Sequence, residues 1–470
     1  MRDINLQIED GNLGLVSSTG SGIQVKIGLS NILTADPILI TSSMSVNEIK
    51  AKLGHTPLAD ACIDSVENGA KTIYCIGVKE SEAGGVSDVQ SDADGKGIFG
   101  ASGKPHNSYD VVVEITETGD CNAACYRYSI DSGKTFSEEY TVPVDGQAEL
   151  PGTGVTMTFT DDAAGESFKE GDTYRFSTMG PAMNNSDILK AVDSLKHLNL
   201  EFEFVHIVGT TTKALWAALA SEAKEFLEIY KHPLFFVCEA RRPNENESLE
   251  DYVKSLQEDR KGISSMYIQA VSAWGRYVRM DKREQDINLA GIVTGLYCRA
   301  KESQSIGEVR SFPIPEDKLL RLLPEGIEEY TDKLDESRYL TFRQYAGLGG
   351  YFVYNARMMS ADGSDFRYAE DVRVMNRIVN EVRKRAVNEM QAEIDPGAVD
   401  VSIAVIQARL QAPVEEAVRD KVISSGRVVI DTENLNILAD ETLEVRVSYV
   451  PMGHVREMNI TFGLSNPYAG

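Results

Sequence analysis

The chain alternates between two hydrophobic patterns from about Val25 to Ala300. Short runs of apolar and β-branched residues predict strands, and stretches with apolar positions three and four residues apart predict helices between them. The predicted strands are Pro37–Thr41, Lys71–Val78, Glu201–Val208, Leu234–Glu239 and Met266–Ser272, and the predicted helices are Val46–Leu53, Leu58–Val66, Asp187–His197, Lys213–Tyr230, Leu249–Arg260 and Ile287–Ala300. This alternation predicts an α/β core with a largely parallel sheet, covering residues 23–103 and 179–337.

A different pattern interrupts the core at residues 104–178. Here short runs alternate between apolar and polar residues, and turns such as Asp131–Gly133 and Asp145–Gly146 separate them. The interruption therefore predicts an all-β module inserted into the α/β core. From Asp110 to Thr178 it holds fourteen acidic and four basic side chains, which predicts an outward-facing, solvated surface.

A third region, residues 338–450, predicts an α+β C-terminal domain. Two short strands come first, two helices follow, and strand-like runs close the chain. These elements are Tyr339–Gln344, Gly350–Ala356, the helix Asp371–Glu393, the helical stretch Val399–Ser424 with a break near Pro413, and the runs Arg427–Asp431, Thr442–Val450 and Arg456–Leu464. The predicted fold class is thus an α/β core with an inserted all-β module and an α+β C-terminal domain bearing terminal strand arms.

Both ends of the chain carry single alternating strands, which we interpret as arms over residues 1–22 and 451–470. Their apolar residues fall on one face of each strand. These residues are Ile4, Leu6 and Ile8 at the start, and Met458, Ile460, Phe462 and Leu464 at the end. Such strands either join a sheet of their own chain or complete sheets on neighbouring copies.

The helix Asp371–Glu393 concentrates positive charge within an acidic chain. Its basic residues include Arg373, Arg377, Arg383 and Lys384. The whole chain has 47 Lys and Arg against 72 Asp and Glu, a formal net charge of −25. A basic helix on such a protein predicts contact with an acidic partner, although an ordinary solvated helix face would have the same pattern.

Composition and motifs narrow the class of function. With 42% hydrophobic and 25% charged residues the chain is typical of a folded, soluble protein. The negative charge argues against nucleic-acid binding, and the absence of a long apolar run or a signal peptide predicts cytoplasmic synthesis without membrane insertion. The cysteine and histidine spacings form no metal motif, and Gly97–Pro105 departs from the phosphate-binding loop pattern. We therefore expect no catalytic residue, cofactor or metal.

Several C-terminal segments resemble contractile tail sheath proteins. They are Gly349-Gly-Tyr-Phe-Val-Tyr-Asn-Ala-Arg357-Met-Met359, Phe366-Arg-Tyr-Ala-Glu-Asp-Val372-Arg373-Val-Met-Asn-Arg377, Asp395-Pro396, Val445-Arg-Val447-Ser-Tyr-Val-Pro451 and Met458-Asn-Ile460-Thr-Phe462. One departure is Val374, where many relatives have a second arginine.

This resemblance implies a structural subunit of a phage tail, tailocin or related contractile injection system. Copies would stack as hexameric rings around an inner tube protein, between baseplate and tail terminator, and would contract to drive the tube through a target envelope. The arms would exchange strands between subunits, and the basic helix would face the tube from a tube-proximal C-terminal domain. The particle would assemble in the bacterial cytoplasm. Two alternatives are an enzyme on the α/β core and a surface-binding protein that uses the β-module.

Overall fold

The computed structural model describes most of the chain and divides it into two compact units, Met1–Asn380 and Glu381–Gly470. The described residues are 20–464, apart from 35, 164, 199, 245 and 433–436.

Strands and helices alternate over much of the described chain. The strands are β1 (Gln24–Leu29), β2 (Ile38–Thr41), β3 (Thr72–Val78), β4 (Gly85–Val86), β5 (Gln90–Asp92), β6 (Ile98–Gly103), β7 (Asp110–Glu117), β8 (Cys125–Ser129), β9 (Tyr140–Thr141), β10 (Gln147–Leu150), β11 (Val155–Thr160), β12 (Thr173–Met179), β13 (Phe204–Thr210), β14 (Phe235–Glu239), β15 (Ile268–Val271), β16 (Trp274–Val278), β17 (Glu284–Asn288), β18 (Leu319–Leu323), β19 (Phe342–Arg343), β20 (Phe352–Val353), β21 (Ile423–Ile430) and β22 (Val445–Pro451). The helices are α1 (Val46–Leu53), α2 (Pro57–Glu67), α3 (Asn185–Leu195), α4 (Lys213–Glu228), α5 (Leu249–Arg260), α6 (Ala290–Arg299), α7 (Thr331–Glu336), α8 (Ala369–Asn388), α9 (Val399–Arg419) and α10 (Ile437–Asp440), with a 3₁₀-helix at Ile327–Tyr330.

A six-stranded sheet with the order β15-β14-β13-β1-β3-β2 forms the centre of the first unit. Neighbouring strands are parallel, except that β2 pairs antiparallel with β3. All the side chains of β1 are buried, as expected for a strand in the middle of a sheet with helices on both faces. The sequence-based prediction of a mixed α/β fold is confirmed. The predicted strand Pro37–Thr41 is the antiparallel edge strand β2, and β1 is a strand that the sequence analysis did not predict.

Short polar residues set the points where the core helices begin. Ser45 and Glu48 form a reciprocal capping box at the start of α1. The Asn184 side chain accepts from the backbone N–H of Asp187 at 2.9 Å, at the start of α3. Each cap satisfies a backbone N–H that the first helical turn leaves without a partner.

The β-module is larger than the sequence predicted. Strand β6 lies before residue 104 but pairs along its whole length with β11, and β4 and β5 both pair with β12. An antiparallel bridge between Glu82 and Ala182 closes the base of the module. The predicted boundaries at 104 and 178 were therefore wrong. Residues 81–103 carry little hydrophobic alternation, so their sequence does not mark them as strands. They become part of the module because they pair with later strands.

Residues 338–380 belong to the first unit, although the sequence placed them in the C-terminal domain. Tyr339, Leu340, Val353, Met358 and Val372 are buried in the same apolar core as the central sheet. The backbone N–H of Leu340 donates to Ala270 O at 3.0 Å, beside the edge strand β15. Because this segment completes the core of the α/β layer, the predicted boundary at 338 was wrong.

The second unit contains α9 packed against the antiparallel pair β21 and β22. Gly426, Val428 and Ile430 share the face of β21 that lies on the helix, and a Cβ on Gly426 would come within 2.4 Å of Val414 Cγ1. Helix α9 passes through Pro413 without the predicted break. The second unit is thus a small α+β structure, with a hairpin where the sequence predicted strands.

Candidate assembly surfaces

The chain enters β1 through a tight turn at Gly20–Ile23, which we call the arm root. The backbone N–H of Ile23 donates to Gly20 O at 3.0 Å. Gly20 has a φ of +73°, and a Cβ there would lie 2.8 Å from the Phe202 backbone nitrogen. Glycine suits this position because other residues disfavour positive φ and this one leaves no room for a side chain. The arm root is therefore packed closely onto the core.

Two glutamates hold the arm root. The backbone N–H of Gly22 donates to Glu203 Oε2 at 2.8 Å. The Ser21 hydroxyl donates to the Glu302 carboxylate. Glu203 precedes β13 and Glu302 follows α6, so both elements of the core contribute to the fixation of this turn.

Each of these glutamates is paired with an arginine of α8. Arg373 forms a bidentate ion pair with Glu203, in which Nη2 donates to Oε2 at 3.2 Å. One helical turn later, Arg377 donates to Glu302 Oε2 at 3.2 Å. Burial would raise the pKa of Glu302, but the charges of Arg373 and Arg377 hold it below its usual range. We call Arg373, Arg377, Glu203 and Glu302 together the arm-root clamp.

Arg373 does not face a tube, and that prediction was wrong. Its side chain is fully buried, and its guanidinium also donates to Tyr297 O at 3.0 Å and Ala300 O at 3.3 Å. These carbonyls lie at the end of α6, where a positive charge is favourable. The pKa of Arg373 is raised, since Glu203 outweighs the effect of burial. The sequence placed Arg373 among the basic residues of this helix, but it could not reveal a buried carboxylate from another element.

The other basic residues of α8 have different surroundings. The side chain of Arg377 is only 15% exposed because of its contact with Glu302. Arg383 and Lys384 are exposed and lie in the second unit. The contact of Arg383 and Lys384 with a tube stays a prediction, whereas the four basic residues Arg373, Arg377, Arg383 and Lys384 do not form one exposed surface.

The hairpin of the second unit has one edge covered by a helix. Gln411 of α9 accepts from the Val428 N–H at 2.7 Å and donates to Gly426 O at 3.1 Å, and Gln407 accepts from the Ile430 N–H at 3.2 Å. These side chains satisfy the edge of β21 that lies away from β22.

The register of the pair fixes which groups of β22 point outward. Val428 lies opposite Val447, and Ile430 lies opposite Val445. Because main-chain groups alternate in direction along an antiparallel pair, those of Val445 and Val447 are directed away from β21. Among the described strands none pairs with this side of β22. An edge of this kind is a template for a further strand.

The chain after β22 carries the predicted C-terminal arm on the surface. Met458, Ile460, Phe462 and Leu464 are strongly exposed, Phe462 to 90%. Residues 452–464 are in neither a helix nor a strand, so the predicted strand Arg456–Leu464 is not formed within this chain. The corresponding N-terminal residues Ile4, Leu6 and Ile8 lie outside the described residues.

A buried ionic network, which the sequence did not reveal, joins the core to the base of the β-module. Asp60 of α2 lies between Arg279, 2.5 Å away, and Arg283, 2.7 Å away. It also accepts from the side-chain amide of Asn107 at 2.8 Å. Although burial alone would raise it, the two arginines hold the pKa of Asp60 well below its usual range. Asp60 thus connects α2, the β16–β17 hairpin and the module.

A second buried cluster crosses the central sheet. Lys26 Nζ lies 2.6 Å from His206 Nδ1, and His206 Nε2 lies 3.0 Å from Glu239 Oε1. Burial lowers the pKa of Lys26 and His206 and raises that of Glu239 to about 7. Convergent titratable groups of this kind would suit the enzyme alternative. Lys26 and His206 are fully buried, however, and their polar contacts are with one another, with Glu239 and with Thr294, so the cluster is a polar layer of the core.

Two other kinds of feature are absent from the described residues. There, no group of three or more His, Cys, Asp and Glu side chains is arranged to hold a metal ion. No helix in the same residues has both the length and the apolar character needed to cross a membrane.

The fold is similar to that of contractile tail sheath proteins. A sheath tail protein from Desulfitobacterium hafniense is 14% identical, with a TM-score of 0.50 over 96% of this chain and 100% of its own. A chain of the anti-feeding prophage baseplate, 6-fold symmetrised, is 9% identical, with a TM-score of 0.53 over 99% of both chains. A chain of that baseplate in its contracted state is 11% identical, with a TM-score of 0.51 over 99% and 97%. These likenesses confirm the resemblance at the level of the fold.

The family is established from the sequence. Residues 1–357 match the description "DUF2586, N-terminal domain", and residues 365–469 match "DUF2586, C-terminal domain". The chain therefore belongs to the DUF2586 family. No curated protein matches it.

Proposed function

We propose that this chain is the structural subunit of a contractile tail sheath, which polymerises around an inner tube and contracts to drive the tube through a target envelope. The observation that carries the proposal is the C-terminal arm, whose exposed apolar residues alternate beside a hairpin with an edge that no described strand fills. Its fold, shared with sheath tail proteins and chains of the anti-feeding prophage baseplate, supports the same role.

The arms provide the connections between subunits in this proposal. An extended strand that docks along β22 would gain main-chain hydrogen bonds to groups such as those of Val445 and Val447. Its apolar side chains would leave water at the same time, which contributes about 1.5–3 kcal/mol for each one fully buried. The C-terminal arm of one copy, and the N-terminal residues Ile4, Leu6 and Ile8 of another, are the strands that we assign to this edge.

Contraction requires that the same folded subunits can pack against one another in two different arrangements. In the extended sheath, subunits would form hexameric rings stacked along the tube between baseplate and terminator. Contraction would then exchange one set of interfaces between the subunits for a more stable set, while the strand connections persist. The difference in interface free energy supplies the work, so this mechanism needs no cofactor. The acidic β-module would lie on the outside of the particle.

We assign Arg383 and Lys384 to the surface that faces the tube. Both are exposed and follow each other on α8. Replacing both by glutamate should weaken the association with the tube protein of the same particle roughly tenfold at low salt, because two attractions become repulsions. Co-sedimentation of tube and sheath over a salt series measures this effect.

A matched control for this test is the double variant Lys190→Glu with Arg310→Glu. These two side chains are also highly exposed, at 74% and 90%, and lie outside the second unit. The control changes the net charge by the same amount and should leave tube association unchanged. Equal loss in both double variants would mean that net charge alone acts, and unchanged binding of the Arg383/Lys384 variant would remove the tube-facing assignment.

A further inference from the structure

The arm-root clamp joins the point where the N-terminal arm leaves the core to a helix far away in sequence. Arg373 and Arg377 are about 170 and 75 residues from their partners Glu203 and Glu302. The two arginines are one turn apart on α8, so both side chains reach the same side of the helix. Their two carboxylate partners each hold one residue of the arm root, Gly22 and Ser21 respectively.

The arm-root clamp carries a larger desolvation penalty than an ion pair on the surface would. Glu203 and Glu302 are 6% and 8% exposed, and a carboxylate removed from water is costly unless it is paired and hydrogen-bonded. Each carboxylate here has one guanidinium and one donor from the arm root. Loss of the arginine weakens the contact between the carboxylate and the turn, since the unpaired carboxylate can then regain hydration by moving towards the solvent.

The packing of the turn confines its direction. Gly20 lies against the backbone of Phe202, and a Cβ on Gly22 would lie 3.2 Å from Cys298 O. The Ile23 carbonyl accepts from the Glu203 N–H at 2.9 Å, which fixes the turn to the segment that carries one of the clamp residues. These contacts and the clamp therefore fix the position and direction of the chain at Gly20.

We propose that the arm-root clamp positions the N-terminal arm for strand exchange, so that Arg377 and Glu302 act on polymerisation as positioning residues, through their contact with the arm root. This inference rests on the proposed function. A strand that starts from a fixed root samples fewer directions, and it therefore loses less conformational entropy when it docks on a neighbouring copy. The same fixed root would transmit force between the arm and the α/β core during contraction.

The test uses Arg377→Leu in the full chain. In the unassembled protein, hydrogen exchange in a peptide covering residues 20–29 should become about tenfold faster at the arm root, because Glu302 loses its arginine and no longer holds Ser21 in a fixed position. The same variant should need a roughly tenfold higher concentration to assemble into sheaths. Arg377→Lys, which keeps the positive charge, should restore both values in part.

Arg241→Leu is the matched control. It breaks another partly buried arginine–glutamate pair, with Glu247, at 23% exposure of the arginine side chain. It should cost similar thermal stability and leave both the exchange of the 20–29 peptide and the assembly concentration as in the wild type. Unchanged exchange in Arg377→Leu would show that the clamp does not hold the root. Faster exchange with unchanged assembly would show that root fixation has no role in polymerisation. The exchange experiment needs no assembly, so it stays informative even if the wild-type chain forms no sheath.

Discussion

Replacing Met458, Ile460, Phe462 and Leu464 by serine should abolish polymerisation and leave the chain folded. These four side chains are exposed in the chain by itself, so their replacement removes no core contact. In an assembled sheath they would form the buried face of a docked strand, and their loss would remove several kcal/mol from every intersubunit contact. Sedimentation of the assembled fraction, together with circular dichroism of the soluble chain, measures both parts of the prediction.

The control for this variant changes the opposite face of the same segment. Asn459→Ser with Thr461→Ser leaves the four apolar residues intact and alters only side chains that would face away from the acceptor sheet. The control should polymerise as the wild type does. If the four-serine variant also polymerised normally, the C-terminal arm could not be the strand that connects subunits.

Asp60→Asn should strongly destabilise the first unit. The carboxylate lies between Arg279 and Arg283 and accepts from Asn107. Removing its charge leaves two buried guanidiniums with incomplete compensation, and we expect a loss of about 3 kcal/mol in the free energy of unfolding. Both tryptophans, Trp216 and Trp274, lie in the first unit, so urea unfolding followed by fluorescence monitors this unit directly.

The pH dependence gives this prediction a second, independent readout. Because the pKa of Asp60 is lowered in the folded state, its contribution to stability is present above the unfolded pKa of about 4 and is lost as the pH falls below it. The difference between wild type and Asp60→Asn should therefore shrink in acid. Asp88→Asn, at an exposed position of the module, should change stability by less than about 0.5 kcal/mol. A similar loss in both variants would contradict the central place of Asp60 in the network.

Most helices of the α/β core could be predicted because each carries its own pattern, whereas the central strand β1 was not among the predicted strands. Helix α5 and helix α1 have the predicted bounds, Leu249–Arg260 and Val46–Leu53, since local amphipathicity and caps define them. Strand β6 could not be found in this way. Its sequence, Ile98–Gly103, is half glycine and serine, and only its register with β11 makes it a strand.

The same difference between local patterns and long-range contacts decides which candidate sites could be predicted. The exposed arm residues were visible from the sequence because alternation is a local property, and Met458 and Phe462 indeed remain exposed. Arg373 was misassigned because its environment depends on Glu203, about 170 residues away. Long-range pairing of buried charges leaves no periodic signal, so neither the arm-root clamp nor the network around Asp60 could be read from the chain alone.

The most direct test of the sheath proposal is negative-stain electron microscopy of the full chain at high concentration, alone and co-expressed with the tube protein of its particle. The proposal predicts long hollow cylinders built from stacked rings, with a channel that admits the tube. Discrete particles under both conditions, with no cylinder and no decorated tube, would contradict it.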